Sequence, residues 1–416
     1  MAGDSLSFNA EIVMGQSPPG EACNAVGHGL PLLNGPTEYG PHHPTPVQFT
    51  TDARKRALPG DILFCVRGST TGRMNWADRE YAIGRGVAAI HHKKRPELQP
   101  FVRAVIEHDL PGLLAQATGS TFPNVSATQL AGLWWPPLDE DEQRAIAHIL
   151  GALDDKIELN RRMSETLERQ ARALFKSWFV DFDPVRAKAE GRDPGLPQPL
   201  ANLFPDSFED SALGEIPKGW EVKPLDEIAR FLNGLALQKY PPTGERSLPV
   251  IKIAQLRAGT TDGADRASAD LEPAYIVQNG DILFSWSGSL ECVLWAAGPG
   301  ALNQHLFKVT SDKYPKWLCY LGVHHHLEDF RHIAAGKATT MGHIQRHHLS
   351  DAKLATPSQA LLRAIDAVFA PIVESIWRRA VESRTLAALR DALLPKLISG
   401  ELRVKDAKRF VAEATA

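Results

Sequence analysis

The sequence holds only four cysteines, Cys23, Cys65, Cys292 and Cys319, and no two of them form a Cys-x-x-Cys pair. That spacing provides neither a disulfide framework nor a thiolate zinc site, and it suits a reducing, cytoplasmic setting. Long apolar runs are missing as well: no stretch of roughly 18 apolar residues exists, so no membrane-spanning helix is expected. Residues 1–10 lack a basic start followed by an apolar stretch, so no signal peptide is expected. There is no excess of positive charge either. Lys and Arg number 46 against 49 Asp and Glu, a net charge of −3. A free-standing DNA binder is usually basic, because Lys and Arg neutralise phosphates. The balance therefore argues against a lone nucleic-acid protein but admits one subunit of a larger complex.

Catalytic signatures are absent too. The chain has no Gly-x-x-x-x-Gly-Lys-Ser/Thr loop for nucleotide phosphates, no Asn-Pro-Pro-Tyr type signature of an adenine methyltransferase and no Gly-x-Ser-x-Gly elbow. Seven of the fifteen histidines crowd residues 324–348: His324, His325, His326, His332, His343, His347 and His348. Their spacing matches no known ligand pattern such as His-Glu-x-x-His, so they read as exposed polar surface or nucleic-acid contacts and no metal is expected.

What the chain does have is a repeat. Gly60-Asp61-Ile62-Leu63-Phe64 returns as Gly280-Asp281-Ile282-Leu283-Phe284, 220 residues on, and each copy is followed by Gly-Ser, at Gly68-Ser69 and Gly288-Ser289. Leu30-Pro31 matches Leu248-Pro249 at an offset of 218, and Gly15 matches Gly234 at 219. Between 139 and 182, Ile146, Leu150, Leu153, Ile157, Asn160, Ser164, Leu167, Ala171, Leu174 and Trp178 follow alternating steps of four and three. That is the coiled-coil period. Adding 219 throughout gives Ile365, Phe369, Ile372, Ile376, Arg379, Ser383, Leu386, Arg390, Leu393 and Leu397, of which eight are apolar or small. One offset for both strand motif and helical seam implies duplication of the whole unit.

The expected organisation is a globular unit at 1–138, a long helix at 139–182, a linker at 183–218, a second globular unit at 219–357, a second long helix at 358–404 and a tail at 405–416. Acidic residues Asp139, Glu140, Asp141 and Glu142 suit a helix start. Roughly 40 residues at about 1.5 Å each make a rod near 60 Å, too long to cover its own seam. The second helix is its natural partner, lying antiparallel, with Asn160, Ser164, Arg379 and Ser383 as polar interruptions that fix register. Pro371 is expected to kink or restart the second helix, leaving it bent or shorter. The linker lacks periodicity and is expected to wander over the surface. The fold class is α/β (mixed α+β): two globular units separated by two long antiparallel coiled-coil helices, with an internal two-fold repeat.

These features resemble the specificity subunits of type I restriction-modification enzymes. The resemblance covers nearly the whole chain. It rests on the Gly-Asp-Ile-Leu-Phe pair and on Asn160-Arg161-Arg162-Met163 running on to Leu174-Phe175-Lys176-Ser177-Trp178-Phe179-Val180-Asp181-Phe182. It rests further on Leu203-Phe204-Pro205-Asp206-Ser207-Phe208 and on Leu394-Pro395-Lys396-Leu397-Ile398-Ser399-Gly400-Glu401-Leu402. The resemblance implies two target-recognition domains, each reading one half of a bipartite DNA site. It implies that the helices space these domains and dock two methyltransferase (modification) subunits, and that restriction subunits complete the assembly. The chain itself is then non-catalytic and holds no cofactor, while its partner subunits use S-adenosylmethionine, ATP and magnesium. One departure stands out. The second unit opens on Gly219-Trp220-Glu221-Val222, but no Gly-Trp precedes Ala10-Glu11-Ile12 in the first, which bears on how completely its first strand forms.

Major-groove reading favours Arg and Lys for guanine and Asn and Gln for adenine. Residues 51–105 hold eleven Lys/Arg against five Asp/Glu, whereas residues 219–356 hold fourteen of each. In the first unit Arg67, Ser69, Thr70, Thr71 and Arg73 follow a strand in a glycine-bounded loop, the usual seat of recognition. Ser287, Ser289, Gln304 and His305 are the analogous choices in the second. Loops around Gly119-Ser120-Thr121 and Gly336-Lys337-Ala338-Thr339-Thr340 recur at an offset of 217. Ser120, Thr121, Lys337, Thr339 and Thr340 are expected to hold phosphates. The near-neutral charge leaves a second reading open, an assembly scaffold that grips proteins without reading sequence. A nuclease with hidden acidic ligands ranks last.

Overall fold

A computed structural model describes residues 4–117, 123–242, 246–336, 342–407 and 409. The chain divides into two compact units, 1–158 together with 385–416, and 159–384.

In the first unit the strands are β1 (Ala10–Met14), β2 (Cys23–Asn24), β3 (Leu30–Leu33), β4 (Gln48–Thr50), β5 (Arg56–Ala57), β6 (Ile62–Cys65), β7 (Met74–Trp76), β8 (Tyr81–Ile83) and β9 (Val87–His92). The helices are α1 (Leu6–Asn9), α2 (Gln99–Ala115), α3 (Ala127–Ala131) and the first part of α4 (Glu140–Phe179). One sheet is antiparallel in the order β1-β9-β6-β7, and a second runs β2-β4-β3-β8-β5 with β3 and β8 parallel. The apolar run of β6 is continuous because both of its faces are covered. Ile62 and Phe64 pack with Phe101, Val102 and Val105 of α2, while Leu63 and Cys65 pack with Leu33, Tyr81 and Ile83 of the second sheet.

The second unit repeats this plan. Its strands are β10 (Phe208–Ser211), β11 (Gly214–Pro217), β12 (Glu221–Pro224), β13 (Arg230–Asn233), β14 (Ser247–Ile251), β15 (Arg266–Ser268), β16 (Ile276–Val277), β17 (Ile282–Ser285), β18 (Cys292–Leu294), β19 (Gly300–Leu302), β20 (Leu306–Thr310) and β21 (Lys353–Thr356). Its helices are α5 (Asp183–Ala189), α6 (Gln198–Ala201), α7 (Leu225–Ile228), α8 (Ile253–Ala258), α9 (Lys316–His325), α10 (Leu327–Ala335), α11 (Arg346–Asp351) and part of α12 (Gln359–Ile398). The sheet β13-β20-β17-β18 copies β1-β9-β6-β7, and β15-β14-β19-β16 copies β4-β3-β8-β5. The register repeats as well. Ile62 stands opposite Ile90 and Trp76, and Ile282 stands opposite Val309 and Leu294. Leu33 runs beside Ile83 as Ile251 runs beside Leu302.

The repeated motif residues have structural reasons. Gly60 (φ 89°) and Gly280 (φ 85°) take the left-handed region that a turn into the strand requires. The next residue ties the turn: Asp61 Oδ2 accepts from Leu58 N–H at 2.8 Å, and Asp281 Oδ2 accepts from Gln278 N–H at 2.8 Å. At the other matched glycine pair, a Cβ on Gly15 would stand 2.1 Å from the Gly84 carbonyl oxygen, and one on Gly234 would stand 2.2 Å from that of Asn303.

Helices α4 and α12 are 40 residues each. Asp139 and Glu142 cap α4 reciprocally, side chain to backbone N–H, at 2.8 and 3.1 Å. In the first unit Ile146, Leu150 and Leu153 share a core with Leu386, Leu393 and Leu397. In the second, Ala171, Phe175 and Trp178 share one with Ile365, Phe369 and Val373. Within the second unit Asn160 meets Glu382 and Arg379, Ser164 meets Ile376 and Trp178 meets Phe369, so the helices run antiparallel.

Two expectations need correction. Helix α12 continues through Pro371 and matches α4 in length. The carbonyl left without a donor belongs to Ala367, and both residues are exposed, so water can satisfy it while Phe369 and Val373 anchor the buried side. The segment 183–218 does not wander. It forms α5, α6 and the β10–β11 hairpin, and Val185, Phe204 and Ile216 join Trp220 in the core. Lys188 Nζ donates to the carbonyls of Ala201 and Phe204. Scattered single anchors such as these leave no periodic trace in sequence. The β12–β21 pair of the second unit corresponds in the first to a single bridge, Ser5 to Trp134, among the described residues.

Candidate nucleic-acid interface

Three loops meet in each unit by the same backbone scheme. In the first, they are the β6–β7 loop (66–73), the β8–β9 turn (84–86) and the segment 123–125 ahead of α3. Val66 N–H donates to the Gly86 carbonyl at 3.0 Å, Gly68 N–H to Pro123 at 3.3 Å and Val125 N–H to Val66 at 2.8 Å. In the second unit Trp286 N–H donates to His305 at 3.4 Å, Gly288 N–H to Gly342 at 2.8 Å and Ile344 N–H to Trp286 at 2.9 Å. Isolated bridges Arg67–Asn124 and Ser287–His343 complete the match. The scaffold thus holds equivalent loops together while their side chains differ.

Among the residues singled out from sequence, Arg67, Ser69 and Thr70 are exposed. Thr71 is committed to the loop: its hydroxyl lies 2.8 Å from the carbonyls of both Gly68 and Pro123. The Arg73 guanidinium holds the neighbouring chain, donating to the carbonyls of Pro36 (3.4 Å) and Tyr39 (2.7 Å) with its Cζ 5.9 Å from the Tyr39 ring. In the second unit Ser289 is exposed and Gln304 and His305 are half-buried. Ser287 departs from its expected role: it is 3% exposed, and its Oγ lies 3.1 Å from His305 Nδ1, so it orients the imidazole instead of facing solvent. Ser120, Thr121, Lys337, Thr339 and Thr340 lie outside the described residues.

Sequence reasoning missed Arg85 and Trp286. Arg85 is exposed in the β8–β9 turn and occupies the place of Gln304, from which it stands 219 residues away, so the repeat offset pointed to it. Trp286 is half-buried, donates its indole N–H to Asn233 Oδ1 at 2.9 Å and lies 5.7 Å from the His305 ring and 6.4 Å from the His343 ring. No pattern in the sequence marks it.

The histidine cluster is not one site. His343 belongs to the loop cluster, whereas His324 and His326 are largely buried against other elements. Arg172 Nη2 donates to His324 Nδ1 at 2.8 Å, which makes that nitrogen an acceptor and the ring neutral. Burial, reinforced by Arg172, pushes the His324 pKa down to about 4, and burial with His325 beside it does the same for His326. Among the described residues no group of three or more His, Cys, Asp or Glu is placed to hold a metal ion. The cysteines are free, and burial raises the pKa values of Cys65, Cys292 and Cys319, with Cys319 pushed up to about 12, which keeps these thiols protonated.

The family model described as "Type I restriction modification DNA specificity domain" matches residues 10–169 and again 217–361. The chain belongs to this family of type I restriction-modification DNA specificity subunits. Among curated relatives, it is 26% identical over 418 residues to the type I restriction enzyme HindI specificity subunit of Haemophilus influenzae, covering 84% of this chain and 88% of that one. It is 28% identical over 299 residues to the MjaIX specificity subunit of Methanocaldococcus jannaschii, covering 69% and 65%. Among solved structures, the type I restriction-modification S subunit from M. genitalium shares the fold, with a TM-score of 0.54, 16% identity and 94% of each chain covered. Specificity subunits of type I systems are non-catalytic, and the chain serves DNA specificity instead of acting as an enzyme. No helix among the described residues is long and apolar enough to cross a membrane.

Proposed function

We propose that the chain reads a bipartite DNA site, one half with each unit, and directs methyltransferase and restriction subunits to it. The observation that supports this best is the duplicated loop cluster, with one backbone scheme and two different sets of side chains. A scaffold that merely grips two identical partners has no use for that difference, whereas a reader of two unlike half-sites requires it. The partners are double-stranded DNA, two modification subunits and restriction subunits, in the cytoplasm. S-adenosylmethionine, ATP and magnesium belong to the partners' chemistry.

The test is to co-express the chain with a modification subunit and map methylated bases in host DNA by long-read sequencing. One two-part motif with a fixed gap is the expected result. Methylation without sequence preference would overturn the reading in favour of a scaffold.

A further inference from the structure

The basic stretch 51–105 contains eight arginines. Five are spent on carboxylates: Arg54 on Asp52, Arg56 on Glu80, Arg79 on Asp78, Arg95 on Glu140 and Arg103 on Glu107. Arg73 is spent on the carbonyls of Pro36 and Tyr39. The two that remain, Arg67 and Arg85, are exposed and have no carboxylate partner among the described residues. They stand on adjacent loops, joined by the Val66–Gly86 hydrogen bond of 3.0 Å.

The turn that carries Arg85 is built to present it. A Cβ on Gly84 would stand 2.2 Å from Asn34 Oδ1, and one on Gly86 would stand 2.2 Å from the Asn34 carbonyl oxygen. The Gly86 position, set against backbone, must therefore be glycine, while a side chain at Gly84 would have to displace that of Asn34, and Arg85 is the turn's one side chain. Its Nε donates to Ser17 Oγ at 3.4 Å, and the terminal nitrogens of the fork have no hydrogen-bond or ion-pair partner among the described residues. At the equivalent places the second unit has Ser287, which is buried, and Gln304. No guanidinium stands there.

A guanidinium is a rigid planar fork whose parallel N–H groups match N7 and O6 of guanine, a fixed geometry that the rotatable point charge of Lys does not supply. We propose that Arg67 and Arg85 read guanines in the half-site bound by the first unit, while the same places in the second unit make no such demand. This rests on the proposed DNA reading and adds to it the base and the half-site concerned.

The test uses the complex with a modification subunit acting on a plasmid library of random duplex sequence, with the methylated motif read for wild type, Arg67→Ala, Arg85→Ala, Arg85→Lys and Gln304→Ala. Each arginine variant is expected to relax one guanine position of one half, with discrimination falling roughly 5- to 150-fold. The other half should stay intact, which also shows that the variant is folded. Gln304→Ala should relax a position in that other half. Substituting 7-deazaguanine at the relaxed position should weaken wild type and leave Arg85→Ala unaffected. A phosphate contact predicts the opposite pattern, in which Ala weakens all sites equally and relaxes no position. That pattern, or a motif without guanine at the relaxed positions, overturns the inference while the bipartite reading stands. A wild-type complex without sequence preference overturns the reading itself.

Discussion

Gly15 and Gly234 occupy one place in two copies of a fold, and in both a side chain would collide with a backbone carbonyl. Replacing either with Ala forces the backbone apart, and each change is expected to destabilise its own unit by about 1–3 kcal/mol, measured as a lowered denaturant midpoint. His324 makes a different prediction. Its folded pKa of about 4 lies below the ordinary 6.5, because burial and Arg172 disfavour its charge. Between those values the unfolded chain binds a proton that the folded chain refuses. The contribution of this residue is therefore complete above about pH 6.5 and is lost as pH falls towards 4, at most ~3 kcal/mol. His324→Gln should lessen the slope of the thermal midpoint against pH over that window, His326 keeping its own share, and an unchanged slope would refute the assignment. Sequence showed the glycine match but not its cause, and it showed the histidines crowded together but not divided between core and loop. Both depend on which strands and helices meet, information that spacing along one chain does not carry.

At the scale of the element, the paired helices were the most legible feature, because a 3.5-residue period survives any tertiary context. The polar layer at its middle was legible as position and not as chemistry. Asn160 is fully buried, donates to Glu382 Oε2 at 2.9 Å and accepts from Arg379 at 3.1 Å. Asn160→Leu strips both groups of a partner and is expected to destabilise the second unit by about 1–3 kcal/mol. Asn160→Leu with Arg379→Leu replaces the layer by an apolar one and should recover most of that loss in chemical denaturation. A double variant no better than the single would show that the layer stabilises on its own account. Pro371 misled because its effect depends on which way it faces, and the pattern of one helix does not fix that for a single turn. The 183–218 segment misled because its anchors, Val185, Phe204 and Ile216, are isolated.

For the whole molecule, the duplication was legible from a handful of matched residues, and the structure extends it to sheet order, register and loop hydrogen bonds. The proposed recognition surface was legible only in part. Arg67 and Gln304 were singled out by residue type, but Arg85 required the knowledge that the two turns are equivalent. The division into units predicts an unequal response to truncation. A chain ended after Arg384 loses Leu386, Leu393, Leu394, Leu397 and Ile398 from the core of the unit that holds the N-terminus. Hydrogen exchange should show lost protection in β6, β9 and α2, with β17 and β20 still protected. Uniform loss across both would contradict the division.

The same interrupted connectivity sets a timetable for the chain as it leaves the ribosome. The unit that begins first is finished last, because residues 385–407 close a core whose other side was made before the whole of 159–384. At roughly 5–20 residues per second, that interval lasts about ten seconds to three-quarters of a minute. Throughout it the faces of Ile146, Leu150 and Leu153 lack their final cover, whereas the contiguous second unit has every residue it needs as soon as residue 384 is made. The order of birth and the order of completion are therefore opposite, and the nascent chain is most exposed to misassociation at the end it made first.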